Sequence, residues 1–457
     1  MKVIKDGYLR LPLTKENVEI AKRHYSYVKA GEILLVSSAD FRPESNEIVF
    51  PRNTKRLKAV TGKVLKIDDR RIIANSPTKL ELSDSFKLRE YQVEPVKEVL
   101  DTLKTCEDNA CILQALPSFG KSYVLPKIVS ELRQNTLIII DRTLLVEQMY
   151  SEFTHNTKNS EEIIILDKHN YKEDGSVYIT TFQFLLKNPD VVEYLARRIG
   201  LVVVDEAHTI GSEVFTKVMT EFPAKYRLGL SATPTRSDGL TQILSDTFSD
   251  NIIVGTNPTN LTIQVIGIKC SQKAEWVGKS YADVATYNLT QPYIERAVVS
   301  TVLVSKKHKR TVMIYTNYKE IREFYKTALL MKGISSAIID GKTKKEERVR
   351  ILKDLQDGKI DVLLTGVIIQ KGVSIHVLDT IVNLGHHNKE SLEQLWGRLR
   401  REHNEKKKPM FIDFFISGVL RNQANERYQL SKKLARKSGD EFKPISYEKY
   451  MEILKTK

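Results

Sequence analysis

The sequence predicts an α/β protein in which two parallel-sheet domains lie in tandem after a small α+β module. Three observations lead there. Between Leu88 and Asp250, short runs that are apolar on both faces alternate with amphipathic stretches, as expected of central parallel strands covered by helices. The alternation restarts after a less regular stretch at 257–291. A chain of 457 residues is also long for one core, at about 150 residues per domain.

Residues 1–84 read as the small module, with a helix over Val18–Val28 and short strands over Glu32–Ser37, Glu47–Phe50 and Ala59–Lys66. In the first large domain, 85–256, the expected strands are Ala110–Leu113, Thr136–Ile140, Ile163–Leu166, Val177–Thr180, Leu201–Val204 and Tyr226–Leu230. Helical spacing lies between them, at Val124–Arg133 and Leu144–Phe153. Residues 257–291 read as an inter-domain linker region. The second large domain, 292–417, has expected strands Thr311–Tyr315, Ser336–Ile339, Val362–Leu364, Thr380–Val382 and Met410–Phe414, with helices over Lys319–Met331 and Lys345–Gln356. Residues 418–457 read as a basic helical extension.

The net charge is +15, from 72 Lys and Arg against 57 Asp and Glu. It sits at the ends: residues 1–80 hold 17 basic and 9 acidic side chains, and residues 400–457 hold 15 and 8. That placement fits a polyanion, nucleic acid first, or simply a lysine-rich soluble surface. No apolar run approaches the ~20 residues of a membrane span, and the first residues, Met1-Lys-Val-Ile-Lys-Asp, open no signal-peptide core. Cys106, Cys111 and Cys270 have neither metal-ligand nor disulfide-framework spacing, which fits a reducing, intracellular, cytoplasmic setting.

Two segments carry the chemistry. Ala115-Leu-Pro-Ser-Phe-Gly120-Lys121-Ser122 follows an expected strand and opens a helix. In a phosphate-binding loop, successive backbone N–H groups surround phosphate oxygens, Lys121 bridges the terminal phosphates, and Ser122 ligates magnesium. Phe119 is a bulky departure within it. Leu201-Val-Val-Val-Asp205-Glu206-Ala207-His208 is a buried strand ending in two carboxylates. There Asp205 suits magnesium and Glu206 an attacking water, or the pair merely solvates the strand end. Gln394, Gly397, Arg398 and Arg401 fall on one helical face; such a face is either solvated or supplies arginines to a phosphoryl group. Trp396 lies in the same helix, facing core or a base.

The chain resembles superfamily 2 helicases, over about residues 85–415. Asp205-Glu206-Ala207-His208 looks like their DEAH box. Leu88-Arg89-Glu90-Tyr91-Gln92 resembles the upstream adenine-reading segment, and Ile139–Gln148 resembles motif Ia, with Asp141 where proline is usual. Thr180-Thr181-Phe182-Gln183, Ser231-Ala232-Thr233-Pro234, Ile314-Tyr315-Thr316-Asn317, Thr365-Gly366-Val367 with Lys371-Gly372-Val373, and Gln394–Arg401 resemble the later motifs in order.

The resemblance implies two RecA-like domains that hydrolyse ATP with Mg2+. It implies nucleotide contacts by Arg89, Gln92, Pro117, Ser118, Phe119, Gly120, Lys121, Ser122 and Gly372. Lys121, Asp205, Glu206, Gln394, Arg398 and Arg401 would be catalytic, with magnesium on Ser122 and Asp205. His208, Ser231 and Thr233 would couple hydrolysis to motion. Thr143, Thr181, Asn317 and Thr365 would contact a tracked single strand; each could instead only cap a helix or a turn. In layout, the basic N-terminal module followed by this series resembles phage branch-migration helicases of the UvsW type. The expected partner is then forked or branched DNA, remodelled 3′ to 5′, with no membrane. The alternatives are an RNA helicase, since only 2′-hydroxyl contacts separate the two, and a nucleotide-gated junction clamp.

Overall fold

Successive side chains of a strand point to opposite faces of its sheet, and this explains why the expected strands are apolar throughout. The computed structural model describes the chain apart from residues 1, 29–34, 38, 75–77, 117–118, 210–217, 233, 235–240, 258–260, 367–374, 376, 388, 401–405 and 457. It divides into two units, Met1–Pro258 and Thr259–Lys457.

The N-terminal sheet of the first unit contains β1 (Lys2–Lys5), β2 (Tyr8–Pro12), β5 (Asp40–Arg42), β6 (Glu47–Pro51) and β7 (Lys66–Asp69). Its order is β5-β6-β2-β1-β7, and β3 (Ser26–Val28) pairs separately with β4 (Leu35–Ser37). Val3, Leu9, Leu11, Ile48 and Phe50 form its core with Tyr25 and Leu57. Residues 59–66, expected as a strand, do not form one. Arg56–Thr61 is a helix that buries Leu57, and Gly62 ends it at φ +60°, a left-handed cap that glycine adopts without penalty.

The second sheet contains β8 (Ala110–Ala115), β9 (Thr136–Ile140), β10 (Ile163–Ile165), β11 (Val177–Thr181), β12 (Leu201–Val204), β13 (Tyr226–Ser231) and β14 (Ile252–Gly255). The order is β10-β11-β9-β12-β13-β8-β14 and every pairing is parallel. Ile138, Ile140, Leu201 and Val203 enter one core, while Leu137, Ile139, Val202 and Val204 enter another on the opposite face. The chain reverses direction across the sheet between β9, β12, β13 and β8, and ligands of such sheets bind beyond the carboxyl ends of strands at such a point.

The N-terminal sheet is fastened to this domain by buried polar contacts. The guanidinium of Arg227, fully buried, donates to the carbonyls of Gly7 at 3.1 Å, Met219 at 2.9 Å, Phe222 at 3.2 Å and Thr247 at 3.2 Å. A side chain at position 7 would come within 1.8 Å of the Thr220 carbonyl oxygen, so only glycine permits this approach. Arg227→Met leaves those carbonyls unpaired and is expected to cost about 3 kcal/mol or more, read as a lower urea midpoint for the first unit.

The second unit repeats the design. Its sheet contains β15 (Gln264–Ala274), β16 (Thr311–Tyr315), β17 (Ser336–Ile339), β18 (Val362–Thr365), β19 (Leu378–Asn383), β20 (Met410–Gly418) and β21 (Glu441–Ser446), in the order β17-β18-β16-β19-β20-β15-β21. Val312 and Ile314 face one core, Met313 and Tyr315 the other. Residues 257–291, expected as a linker, instead supply β15 to this sheet, and 418–457, expected as a helical extension, supply its edge strand β21 between helices Arg421–Ser438 and Tyr447–Thr456. Both strands hide from a pattern search. β15 has Gly267, where the Phe415 and Phe442 rings take the space of a side chain. β21 contains Pro444 and exposed positions, which an edge strand tolerates. Among the described residues no helix is long and apolar enough to cross a membrane.

Candidate active site

The turn after β8 is shaped by two residues with opposite demands. Gly120 has φ +86° and starts helix Lys121–Leu132, so the backbone of the turn carries no side chain there and the positive helix end lies behind it. Phe119 points the other way. Its ring is fully buried, lies 5.8 Å from that of Tyr91, and fills the space left by Gly255, where a Cβ would come within 2.8 Å of it. The bulk that departs from the usual loop therefore anchors it to the core.

Lys121 is 7% exposed, and its ammonium donates to the Ala115 carbonyl at 2.8 Å, which closes the loop on itself. Gln92, fully buried in helix Glu90–Thr105, donates from Nε2 to the Phe119 carbonyl at 2.7 Å and accepts from the Arg89 N–H at 3.0 Å. It braces the loop. Arg89 lies beside it, its guanidinium 5.4 Å from the Tyr123 ring centre. Ser122 follows Lys121 in the first turn, half-buried. Pro117 and Ser118 lie outside the described residues, as do Thr233, Gly372 and Arg401.

At the end of the neighbouring strand β12, the Asp205 N–H donates to the Ile139 carbonyl at 3.0 Å, and Oδ1 accepts from the Glu206 N–H at 3.0 Å. Glu206 has φ +50°, a left-handed backbone that costs a non-glycine residue about 1–2 kcal/mol. Strain of this kind persists where surroundings enforce it, often at functional sites. His208 Nδ1 lies 3.3 Å from Glu206 Oε2 and 2.9 Å from Ser231 Oγ. A chain of polar contacts thus runs from the Glu206 carboxylate to the end of β13.

Burial, then the charge of Glu206, pushes the Asp205 carboxyl up to about 6; Lys121 opposes the shift and Asp141 adds to it. Asp141, just beyond β9, was noticed in the sequence only as a departure from proline; here it enlarges the negative cluster. The sign follows. With the folded value above the ordinary 3.8, the fold is favoured at low pH and loses that advantage as pH rises through about 6. Asp205→Asn is therefore expected to raise the melting temperature of the ligand-free protein in EDTA at pH 8, with the gain shrinking below pH 6.

In the second unit, helix Lys389–Leu399 carries Gln394, Arg398 and Trp396. Gln394 is 8% and Arg398 5% exposed. Trp396 is core, its ring 5.7 Å from that of Phe411. Arg400, which the motif reading passed over, is buried in an ion pair with Asp440. Beside this helix lies a buried network that sequence reasoning missed. His387 contacts Asn383 Oδ1 at 2.7 Å and Ser391 Oγ at 2.9 Å, and burial lowers its pKa to about 3. Asn383 Nδ2 donates to Asp413 at 3.1 Å. The available signal was the run Asn383-Leu-Gly385-His386-His387 directly after an apolar strand.

The four residues expected to contact nucleic acid divide. Thr143 opens helix Thr143–Asn156 and is exposed. Asn317 is exposed and accepts from the Tyr315 hydroxyl at 2.8 Å. Thr181 caps helix Phe182–Lys187, accepting from the Phe184 N–H at 3.2 Å. Thr365 is fully buried and donates to the Ile339 carbonyl at 2.9 Å.

Comparison with known proteins agrees in position with these features. Residues 85–236 match the family described as "Type III restriction enzyme, res subunit", and residues 295–403 match "Helicase conserved C-terminal domain". The chain is 28% identical to "Probable helicase D10" of Escherichia phage T5, over 73% of this chain and 72% of that one. It is 23% identical to "DNA 3'-5' translocase XPB2" of Sulfurisphaera tokodaii, over 76% and 85%. It is 23% identical to the "Transcription-repair-coupling factor" of Buchnera aphidicola, covering 81% of this chain but only 47% of that protein. Among solved structures, Saccharomyces cerevisiae Dbp5 bound to RNA and ADP BeF3 shares the fold, with TM-score 0.54 and 17% identity over 82% of this chain and 97% of that one.

Proposed function

We propose, from the premise that this chain belongs to the superfamily 2 helicases, that it is a DNA translocase remodelling forks and four-way junctions, moving 3′ to 5′. The chain is an ATP-dependent helicase; DNA as substrate, its branched form and the polarity are the reading argued here. One observation carries the ATP-driven motor on which that reading stands: the Glu206–His208–Ser231 contacts tie the carboxylate that would orient water to the end of β13, where the nucleotide state can be passed on.

Lys121 would leave the Ala115 carbonyl for the terminal phosphates. Ser122 and Asp205 would hold magnesium, and the fit is physical: Asp205 is a buried carboxyl held back from ionising beside two further carboxylates, which a divalent cation relieves. The bound ion would neutralise charge on the phosphates. Glu206 would orient the attacking water. Gln394, Arg398 and Arg401 would complete the site when the two units close on ATP. Thr143 and Asn317, being exposed, are the better placed of the proposed strand contacts.

Support for DNA and for the polarity comes from the relative named as a DNA 3'-5' translocase. Support for branched substrates comes from the basic module, residues 1–84, fixed to the ATP-binding domain through Arg227. The free cysteines and the need for ATP suit the cytoplasm. The test is phosphate release with no nucleic acid, single-stranded DNA, forked DNA, a four-way junction and RNA. The expected result is strongest stimulation by forks or junctions. Stimulation by RNA or single-stranded DNA as strong as that by forks and junctions sinks the branched-DNA reading.

A further inference from the structure

The basic run Lys55-Arg56-Leu57-Lys58 does not act as one surface. Arg56 turns inward to pair with Asp246 and to donate to the His24 carbonyl at 2.7 Å, and Leu57 is core. Lys55 and Lys58, three residues apart, are exposed and face a cleft of about 460 Å³ at the seam between the N-terminal sheet and the ATP-binding domain. Lys5 and Arg52 line it from the module, and Glu107 and Asp108 from the domain.

Lys5 is the unusual member. It is 4% exposed, yet among the described residues its ammonium makes no hydrogen bond; the nearest carboxylate oxygen, on Asp108, is 4.0 Å away. The other Asp108 oxygen accepts from the Ser249 hydroxyl at 3.0 Å. Arg52 donates from Nη1 and Nη2 to the Ala224 and Lys225 carbonyls. An ammonium held largely out of water without a hydrogen bond is costly: burial, then the repulsion of Arg71 and Arg52, brings its pKa down to about 8 against the pull of Asp108 and Glu107. An anion seated in the cleft would supply the missing acceptor. Val64 and Ile67, 77% and 43% exposed on the lining, add apolar area that a sugar can cover.

We propose that this cleft is a phosphate site, filled by a backbone phosphodiester of the nucleic-acid substrate, with Lys5 at its floor and Lys55 and Lys58 at its mouth. The inference rests on the helicase reading only for the source of the phosphate. Lys55 also pairs with Asp250 at 3.4 Å, an exposed contact of little worth.

The test uses the full chain carrying Lys55→Ala with Lys58→Ala, and separately Lys5→Met. Both mouth lysines are exposed, so the double variant keeps the fold whatever Lys5→Met does. Forked-DNA affinity is measured across salt, and pyrophosphate binding by calorimetry with the nucleotide site saturated by a non-hydrolysable ATP analogue. Expected for the double variant is about a tenfold weaker affinity at ~0.1 M salt, with the slope of log affinity against log salt reduced by about two. Pyrophosphate bound by the wild type and lost in the variants, with DNA affinity unchanged, retains the site and makes a free anion its occupant. Unchanged DNA affinity and slope, with no pyrophosphate bound, overturn the site. A wild type that binds no nucleic acid at all would instead overturn the function proposed above, leaving the pyrophosphate arm to decide the cleft.

Discussion

Glu206→Gln is expected to cut nucleic-acid-stimulated ATP hydrolysis by about 10²–10⁴-fold while ATP still binds. The amide keeps the size of the side chain, so the turn at the end of β12 survives. What it loses is the negative charge that would draw a proton from the attacking water. The left-handed backbone at Glu206 and the contact to His208 at 3.3 Å fix that carboxylate in place, and fixed charge is most effective where water is excluded. Lys121→Ala, by contrast, should weaken nucleotide binding as well, because the cation that meets the phosphates is gone. Phosphate release and nucleotide titration separate the two. Near wild-type turnover in Glu206→Gln would remove this carboxylate from the mechanism.

Arg398→Ala is expected to lower the stimulated rate by about 10³–10⁵-fold with little change in ATP affinity, the signature of a group that acts on the transferring phosphoryl. Arg400→Ala is the comparison. Arg400 is buried in its ion pair with Asp440, so its loss should appear as a lower melting temperature of the second unit, not as a specific loss of rate. If Arg398→Ala hydrolyses ATP at the wild-type stimulated rate, the arginine-completed site is wrong.

The strands on which these residues sit were legible because burial on both faces writes itself into the sequence. Thr136–Ile140, Leu201–Val204, Thr311–Tyr315 and Ser336–Ile339 have the bounds their apolar runs announced. β14, β15 and β21 were not legible. Ile252 and Val254 are exposed on an edge, Gly267 interrupts β15, and Pro444 interrupts β21. Each has half a face or an edge to bury, so its composition resembles a loop. The basic run Lys55–Lys58 divides because a single helical turn sends its members to different surroundings.

The sequence by itself determined the parallel α/β class, the tandem repetition of two sheets, and the residue types that ATP chemistry needs at the ends of β8 and β12. Those follow from local pattern, since hydrophobic periodicity and a glycine before lysine constrain the chain within a few residues. Only the tertiary structure decided that the Phe119 ring turns into the core opposite Gly255, that Gln92 braces the loop, that His208 joins Glu206 to Ser231, and that Arg227 joins the Gly7 carbonyl of the N-terminal module to three carbonyls of its own domain. These depend on which distant backbone atoms meet a side chain, and contacts between residues far apart in sequence leave no periodic trace in it.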